Sequence, residues 1–254
     1  MNSIIIPHRN RNQYLDVCLW SIAISAKHCG INDYEVVVVD NGSNTLPKPT
    51  DSHVVVVAID RPTPWFNKPL CLNLGIEHSR GDILTFLDAD AIVGKSFLEG
   101  SSNLADPTLT RLCYRVRYVN AGQNIGDCPV YSQSPYRDLA IADAFSRYDM
   151  LQRAFEGYGD PENNADGGEP VFGNSQFSIT RHLLGDLRFN ETFDGRGFED
   201  LWLIREIWRR YGSAYKCKIL TDPDHALIHI KHGYEPDWHD IKKNKANFNL
   251  YHNT

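Results

Sequence analysis

Three short stretches of this chain carry residues whose types and spacing suit chemistry on a charged substrate. The first is Phe86-Leu-Asp-Ala-Asp90, two carboxylates two positions apart after an apolar run. Such acids repel one another and lose solvation in a cleft, and a divalent cation set against them supplies the missing counter-charge. The second is His225-Ala-Leu-Ile-His-Ile-Lys-His-Gly233, with three histidines in nine residues. On a regular strand His225 and His229 share one face and His232 takes the other. His229 and His232 can therefore meet at one ion only if the chain turns at Gly233, where glycine lets a strand break. The third is Gly195-Arg-Gly-Phe-Glu-Asp200, an acid pair ahead of a helical pattern. Acids in a first turn complement the helix dipole, and glycines permit a tight entry. A carboxylate in that place also suits removal of a proton from an attacking hydroxyl.

The elements that must position these groups alternate between strand and helix. Ser3–Pro7, Tyr34–Asp40, His53–Ala58 and Ile83–Leu87 are short continuous apolar runs, the signature of strands covered on both faces. Between them lie helical patterns at Asn12–Cys29, with Tyr14, Val17, Cys18, Ser21 and Ile22 along one stripe, and at about Lys68–Ser79. This order predicts an α/β domain with a mostly parallel sheet flanked by helices. Ligands of such sheets bind beyond the carboxyl ends of the strands, where Pro7, Asp40, Asp88 and Asp90 fall. Farther on, Arg111–Val119 and Asn174–Thr180 read as strands. Asp138–Phe155 and Glu199–Tyr211 read as helices, the latter burying Trp202, Ile204, Ile207 and Trp208. The glycine- and acid-rich segment Gly157–Pro170 reads as a loop or lid, and Asp237–Tyr251 as an amphipathic helix. This pattern shows no clear linker, so residues 1–254 read as one domain.

Composition narrows the class. With 254 residues, 42% hydrophobic and 23% charged, the chain can bury a sizeable core. A formal charge of −6 without a dense basic run argues against nucleic acid as partner. No apolar run approaches the ~20 residues of a spanning helix, and no signal peptide is visible at the start. Membrane contact is then at most peripheral, through Lys242, Lys243 and Lys245. Six scattered cysteines without CxxC spacing fit a reduced, cytoplasmic protein.

Ile4-Ile-Ile-Pro7, Val37-Val-Val-Asp40, Asn67-Lys-Pro-Leu-Cys-Leu-Asn-Leu-Gly75 and Phe86-Leu-Asp-Ala-Asp90 occur in the order found in nucleotide-sugar glycosyltransferases of the GT-A (Rossmann-like) fold. More narrowly, IIIPHRNR, FNKPLCLNLG, GRGFED and HIKHG resemble motifs of the β-1,4-galactosyltransferases and their bacterial relatives. The resemblance implies that Pro7, Arg9 and Arg11 line the nucleotide, that Asp40 reads the uracil edge and that Lys68 lies near the diphosphate. Asp88 would face the ribose, so that residues 1–100 would be the nucleotide-binding half and 101–254 the acceptor-binding, catalytic half. Asp90 would hold Mn²⁺ or Mg²⁺ together with His232 and His229, and His225 falls outside the motif. Gly173 and Asn174 would flank the donor sugar, Glu199 would contact its hydroxyls, and Asp200 would be the general base of an inverting transfer. The galactosyl members generally lack an acid at Asp40 and carry tryptophan and glycine where Arg196 and Phe198 stand, which leaves the sugars open.

The function implied is a metal-dependent inverting transfer of a galactose- or N-acetylhexosamine-type sugar from a UDP-sugar to a glycan or lipid-linked acceptor, in surface polysaccharide synthesis. Three other functions compete. A retaining N-acetylgalactosaminyltransferase usually has asparagine at the place of Asp200. A sugar-nucleotide pyrophosphorylase needs a glycine-rich loop that PHRNRNQY does not supply. A non-catalytic sugar-nucleotide binder would have little need of Asp90, Asp200 and His232.

Overall fold

β-branched runs build the centre of the molecule. In the computed structural model, the described residues are 1–60, 62–102, 104, 110–114, 116–120, 176–195, 197–220, 223–225, 227–231 and 241–253. Strands β1 (Asn2–His8), β2 (Tyr34–Asp40), β3 (Val54–Ala58) and β4 (Ile83–Phe86) pair in parallel in the order β3-β2-β1-β4. Beyond β4 the same sheet continues through β8 (Phe177–Thr180), β6 (Thr110–Tyr114) and β9 (Lys216–Leu220). Here β8 runs antiparallel to both β4 and β6, while β9 is parallel to β6. A second sheet of order β5-β10-β7 joins β5 (Ala91–Val93), β10 (Leu227–Lys231) and β7 (Val116–Asn120).

Side chains alternate across the central strands, so both faces are covered. Ile4, Ile6, Val36 and Val38 pack with Leu15, Cys18 and Ile22 of helix α1 (Asn12–Cys29). Ile5 faces the other way, against Leu72 and Ile76 of α2 (Lys68–His78) and Leu203 and Ile207 of a later helix (Glu199–Tyr211). Each fully buried aliphatic side chain of this kind contributes about 1.5–3 kcal/mol. The short helices α3 (Phe97–Ser102) and α4 (Arg181–Leu184) lead to the later helix, α5, and α6 (Ile241–Asn253) follows near the chain end.

Several elements coincide with the sequence reading: α1 and α5 have the predicted bounds, and β2 matches residue for residue. Others differ for physical reasons. The β3 run is an edge strand rather than a buried one, with Val55 49% exposed, because no strand among the described residues pairs beyond it in the sheet. Residues 111–119 are two strands in two sheets, β6 and β7. On α1 the buried stripe runs through Leu15 and not Tyr14, and on α5 it includes Leu203, leaving Trp202 and Trp208 at its margin. The helix expected at 138–155 and the loop at 157–170 lie outside the described residues.

A methyl group added at Gly75 would come 2.3 Å from Cγ2 of Ile5, so α2 approaches β1 more closely than any side chain allows. Gly75→Ala should therefore destabilise the domain by about 1–3 kcal/mol, the usual range for overpacking, as read from urea unfolding. Unchanged stability would mean that α2 can slide on the sheet.

Candidate active site

The carboxyl ends of β1, β2 and β4 meet at one edge, and His8 lies in register with Asp40. Asp40 is wholly buried. Its Oδ2 accepts from the His8 ring at 2.8 Å and from the Ser43 hydroxyl, and its Oδ1 accepts from the backbone N–H groups of Gly42 and Ser43. Burial works against ionisation here, but the hydrogen bonds from His8 and Ser43 outweigh it and hold the carboxyl below its usual range. A uracil edge would have to compete with these donors, so the visible work of Asp40 is to fix the turn after β2. Arg9 reaches across that turn to the Thr63 carbonyl at 3.1 Å and to the Asn41 side chain. The Arg11 N–H donates to Nε2 of His8 at 3.2 Å, which ties the start of α1 to the same cluster. Pro7 is buried within β1.

Asp88 and Asp90 follow β4, and β5 begins at the next residue, Ala91. Strand β10 runs antiparallel to β5 with His229 opposite Ala91, which sets its imidazole beside the aspartates. Ligand atoms of Asp88, Asp90 and His229 lie within 4.8 Å of one another, and Nε2 of His229 is 3.2 Å from Asp90. Two carboxylates and an imidazole are a donor set that suits Mn²⁺ or Mg²⁺ with phosphate oxygens completing the shell. The second Asp90 oxygen is held by Arg11, and both side chains are 3% exposed. A pair so deeply desolvated gains little net stability from its attraction. Its significance is that Arg11 neutralises the carboxylate.

Lys68 joins these acids to the second half of the chain. Its Nζ is 2.5 Å from Asp88 and 3.6 Å from Glu199. Burial lowers its affinity for a proton, but Asp88 and then Glu199 outweigh that and keep the ammonium charged well above its ordinary range. The other Asp88 oxygen accepts from the Gln176 amide at 3.3 Å. Helix α2 is stapled to the approach to α5 by asparagines. Asn67 caps α2 at the Leu70 N–H, and its own amide donates to the Glu191 carbonyl at 2.9 Å. Asn73 bonds the Phe189 backbone in both directions, each at 2.9 Å. The entry to α5 then turns through Gly195, Gly197 and Phe198, all at positive φ, a conformation that glycine adopts freely and phenylalanine rarely. Asn247 of α6 donates to the carbonyls of Asp194 and Gly197 across this turn, at 3.0 and 3.3 Å.

This entry brings Glu199 and Asp200 to the cleft. Burial, reinforced by its neighbour Asp200, pushes Glu199 up to about 7, while Lys68 pulls it down. Asp200 is also raised by burial and partly restored by Lys68. The site therefore gathers Asp88, Asp90, His229, Lys68, Glu199 and Asp200, with Arg11 as a second cation. An acid pair with one member titrating near neutrality, beside two carboxylates and an imidazole placed where they could hold a cation, is suited to proton transfer.

Residues 3–125 match the family model of glycosyl transferase family 2. The chain resembles that family over those residues, which make up just under half of it. Its fold is GT-A, shared with solved structures that are only distantly similar in sequence. TarS of S. aureus (residues 1–349) matches with a TM-score of 0.57 at 17% identity, over 90% of this chain and 60% of that one. The same protein in complex with UDP-GlcNAc matches at 0.57 and 16%, over 93% and 60%. The mannosyltransferase PcManGT of Pyrobaculum calidifontis, in complex with GDP-Man and Mn²⁺, matches at 0.52 and 19%, over 93% and 58%. The chain thus spans about 60% of the TarS 1–349 structures. No curated protein matches it at a comparable level.

Of the site residues expected from sequence, Asp88, Asp90, His229, Lys68, Glu199, Asp200 and Arg11 are brought together. His225 sits in a single 3₁₀ turn, Pro223–His225, ahead of β10 and packs under Gly100 instead of standing on the strand. His232, Gly173 and Asn174 lie outside the described residues. Phe66 is buried against Val37, Val39 and Cys71, so of the two aromatics before α2 it is a core residue. Sequence reasoning missed Gln176, Asn67, Asn73 and Asn247. Asparagine within a helix is the available signal, since it favours turns and caps unless its amide has a specific task.

Glu199 gives the site a signature in stability. Its folded-state value of about 7 lies above its ordinary 4.5, so the folded chain holds this proton more firmly than the unfolded one. Stability should then fall as pH rises from 4.5 towards 7, by up to about 3 kcal/mol. Glu199→Gln should flatten that slope in melting curves recorded across the same range. An unaltered slope would assign it to other groups.

Proposed function

We propose that this glycosyltransferase is a metal-dependent, inverting enzyme. It moves a galactose- or N-acetylhexosamine-type sugar from a UDP-sugar to a hydroxyl of a glycan or lipid-linked acceptor, in the cytoplasm and for surface polysaccharide synthesis. The observation that carries this reading is the convergence of Asp88, Asp90 and His229 with Lys68 and the Glu199–Asp200 pair in one cleft. The likeness to a TarS structure holding UDP-GlcNAc supports the N-acetylhexosamine choice. A GDP-sugar donor is the second reading, favoured by the likeness to a structure holding GDP-Man and Mn²⁺. Among the described residues, no helix is long and apolar enough to cross a membrane.

In this reading Asp90, His229 and His232 hold Mn²⁺ or Mg²⁺, and Asp88 divides its contacts between the ion and the ribose. A cation bound there would offset the charge that gathers on the diphosphate as it leaves. Arg9, with the turn that Asp40 fixes, borders the base, and Lys68 faces the diphosphate. Gly173, Asn174 and Glu199 contact the donor sugar. The acceptor hydroxyl attacks the anomeric carbon from the face opposite the diphosphate, and Asp200 takes its proton as the glycosidic bond breaks. Burial makes Asp200 a better base than a solvated aspartate, and the nearby Lys68 charge limits how far it is raised.

Asp200→Asn should lower kcat by roughly 10²–10⁴-fold, the usual contribution of a general base, with donor binding retained. Normal turnover in that variant would remove Asp200 from the role. NMR of the product should show the anomeric configuration opposite to that of the donor, and retention would exclude this mechanism. A panel of UDP- and GDP-sugars assayed with Mn²⁺ and then with EDTA names the donor and tests the metal.

Arg11 and a bound cation compete for one Asp90 carboxylate. In the absence of nucleotide, Arg11→Gln should bind Mn²⁺ several-fold more tightly than the wild type, as read by paramagnetic titration of free ion. Weaker or equal binding would show that Arg11 does not hold the place of the ion.

A further inference from the structure

Outside the carboxylate cluster, strands β6 and β9 bring two cysteines together. The parallel register pairs Arg111 with Cys217 and Cys113 with Ile219. Cys113 and Cys217 are therefore offset by two residues and project from the same face of the sheet. Their sulfurs are 3.3 Å apart, and Nη2 of Arg111 is 3.4 Å from the Cys217 sulfur. Arg111 is wholly buried, with its guanidinium 5.4 Å from the centre of the Phe177 ring. Cys113 is wholly buried as well, while Cys217 is partly open to solvent.

A buried guanidinium beside a sulfur favours the thiolate, and a neighbouring thiol that donates a hydrogen bond favours it further. The two sulfurs divide these roles. Cys217 is drawn down to about 6 by the hydrogen bond from Cys113 and by Arg111, against the opposing effect of burial. Cys113 is held well above its ordinary value by that same hydrogen bond and by burial. The partly buried Cys217 sulfur is thus the nucleophile, and the wholly buried Cys113 keeps its proton.

We propose that Cys113 and Cys217 form a dithiol modification site that peroxides convert to a disulfide. The Cys217 thiolate attacks one peroxide oxygen, the O–O bond breaks, hydroxide leaves, and Cys217 becomes a sulfenic acid. The Cys113 sulfur then attacks the Cys217 sulfur, and its proton leaves with the sulfenic oxygen as water. Two electrons pass from the dithiol to the peroxide. Closing from 3.3 Å to the ~2.05 Å of a disulfide takes a small movement of two adjacent strands. The bridge would lie in the cluster that holds Leu203 and Ile207 of α5, beneath the helix that begins with Glu199 and Asp200. It would also close a span of 104 residues, which restricts the unfolded chain and raises the melting temperature.

The test treats the full chain with hydrogen peroxide, blocks the remaining thiols and maps the peptides by mass spectrometry. The expected result is a fall from six titratable thiols to four, a loss of two hydrogens in mass, and a linked peptide pair containing Cys113 and Cys217 that dithiothreitol separates. Cys113→Ala should stop the reaction at a Cys217 sulfenic acid that dimedone traps. Cys217→Ser should leave Cys113 unmodified at the same dose. Wild-type protein in which Cys217 passes to the sulfinic acid while Cys113 stays reduced would overturn the proposal. So would a map in which other cysteines pair and these two do not. The wild-type map needs no variant, so misfolding of either mutant leaves the proposal open to refutation.

Discussion

Like charges gathered at one site are the constraint on which the arrangement of this protein depends. Asp88 and Asp90 come from the end of β4, and Glu199 and Asp200 come from the start of α5, more than a hundred residues later. Two unit charges about 4 Å apart interact by about 4 kcal/mol at the effective dielectric of a protein surface. The repulsion among four such groups is therefore comparable to the stability of a whole domain. Lys68 answers it by standing between the halves, against Asp88 on one side and Glu199 on the other. Arg11 does the same for Asp90. Both cations come from the starts of helices packed on opposite faces of one parallel sheet, so the sheet itself sets the spacing of the counter-charges.

The asparagine staples then acquire a reason. Lys68 can meet Glu199 only if α2 and the approach to α5 keep their relative positions, and Asn67 and Asn73 fix that relation through backbone partners. Asn247 adds a third hold from α6 on the turn that carries Phe198 in a left-handed conformation. A left-handed non-glycine residue costs of order 1–3 kcal/mol and persists where its surroundings enforce it. Here the enforced geometry aims the first turn of α5 at the cleft.

Much of this was legible in the sequence, and the limits have physical causes. Continuous Val and Ile runs announce doubly covered strands, and β2 and α1 follow their patterns to the residue. That β6 and β7 are separate strands was not legible, because the sequence does not say which sheet each one joins. Periodicity reports burial and is silent about partners. The types of Asp88, Asp90, Lys68 and Asp200 suggested their chemistry, but the proximity of His229 to Asp90 depends on β10 pairing with β5, a contact invisible in linear spacing. Asp40 shows the converse: its position at a strand end was plain, while its commitment to His8 and Ser43 needed coordinates. The family match ends at residue 125, so the acid pair and the histidine strand had to be recognised from their own residues.

Strand order also bears on how the protein is made. Strands β3, β2, β1 and β4, with α1 and α2 to cover them, all lie within the first 86 residues, and their pairing requires nothing that follows. A chain leaving the ribosome can settle this half while the rest is still being synthesised. The cleft cannot mature so early. Strand β10 inserts between β5 and β7, the latter at residues 116–120, and it follows every other described strand along the chain. Until it arrives, Asp88 and Asp90 wait beside Lys68 and Arg11, which shield the nascent acids from one another. Synthesis thus places Asp88 and Asp90 long before His229, and the three meet only when β10 docks.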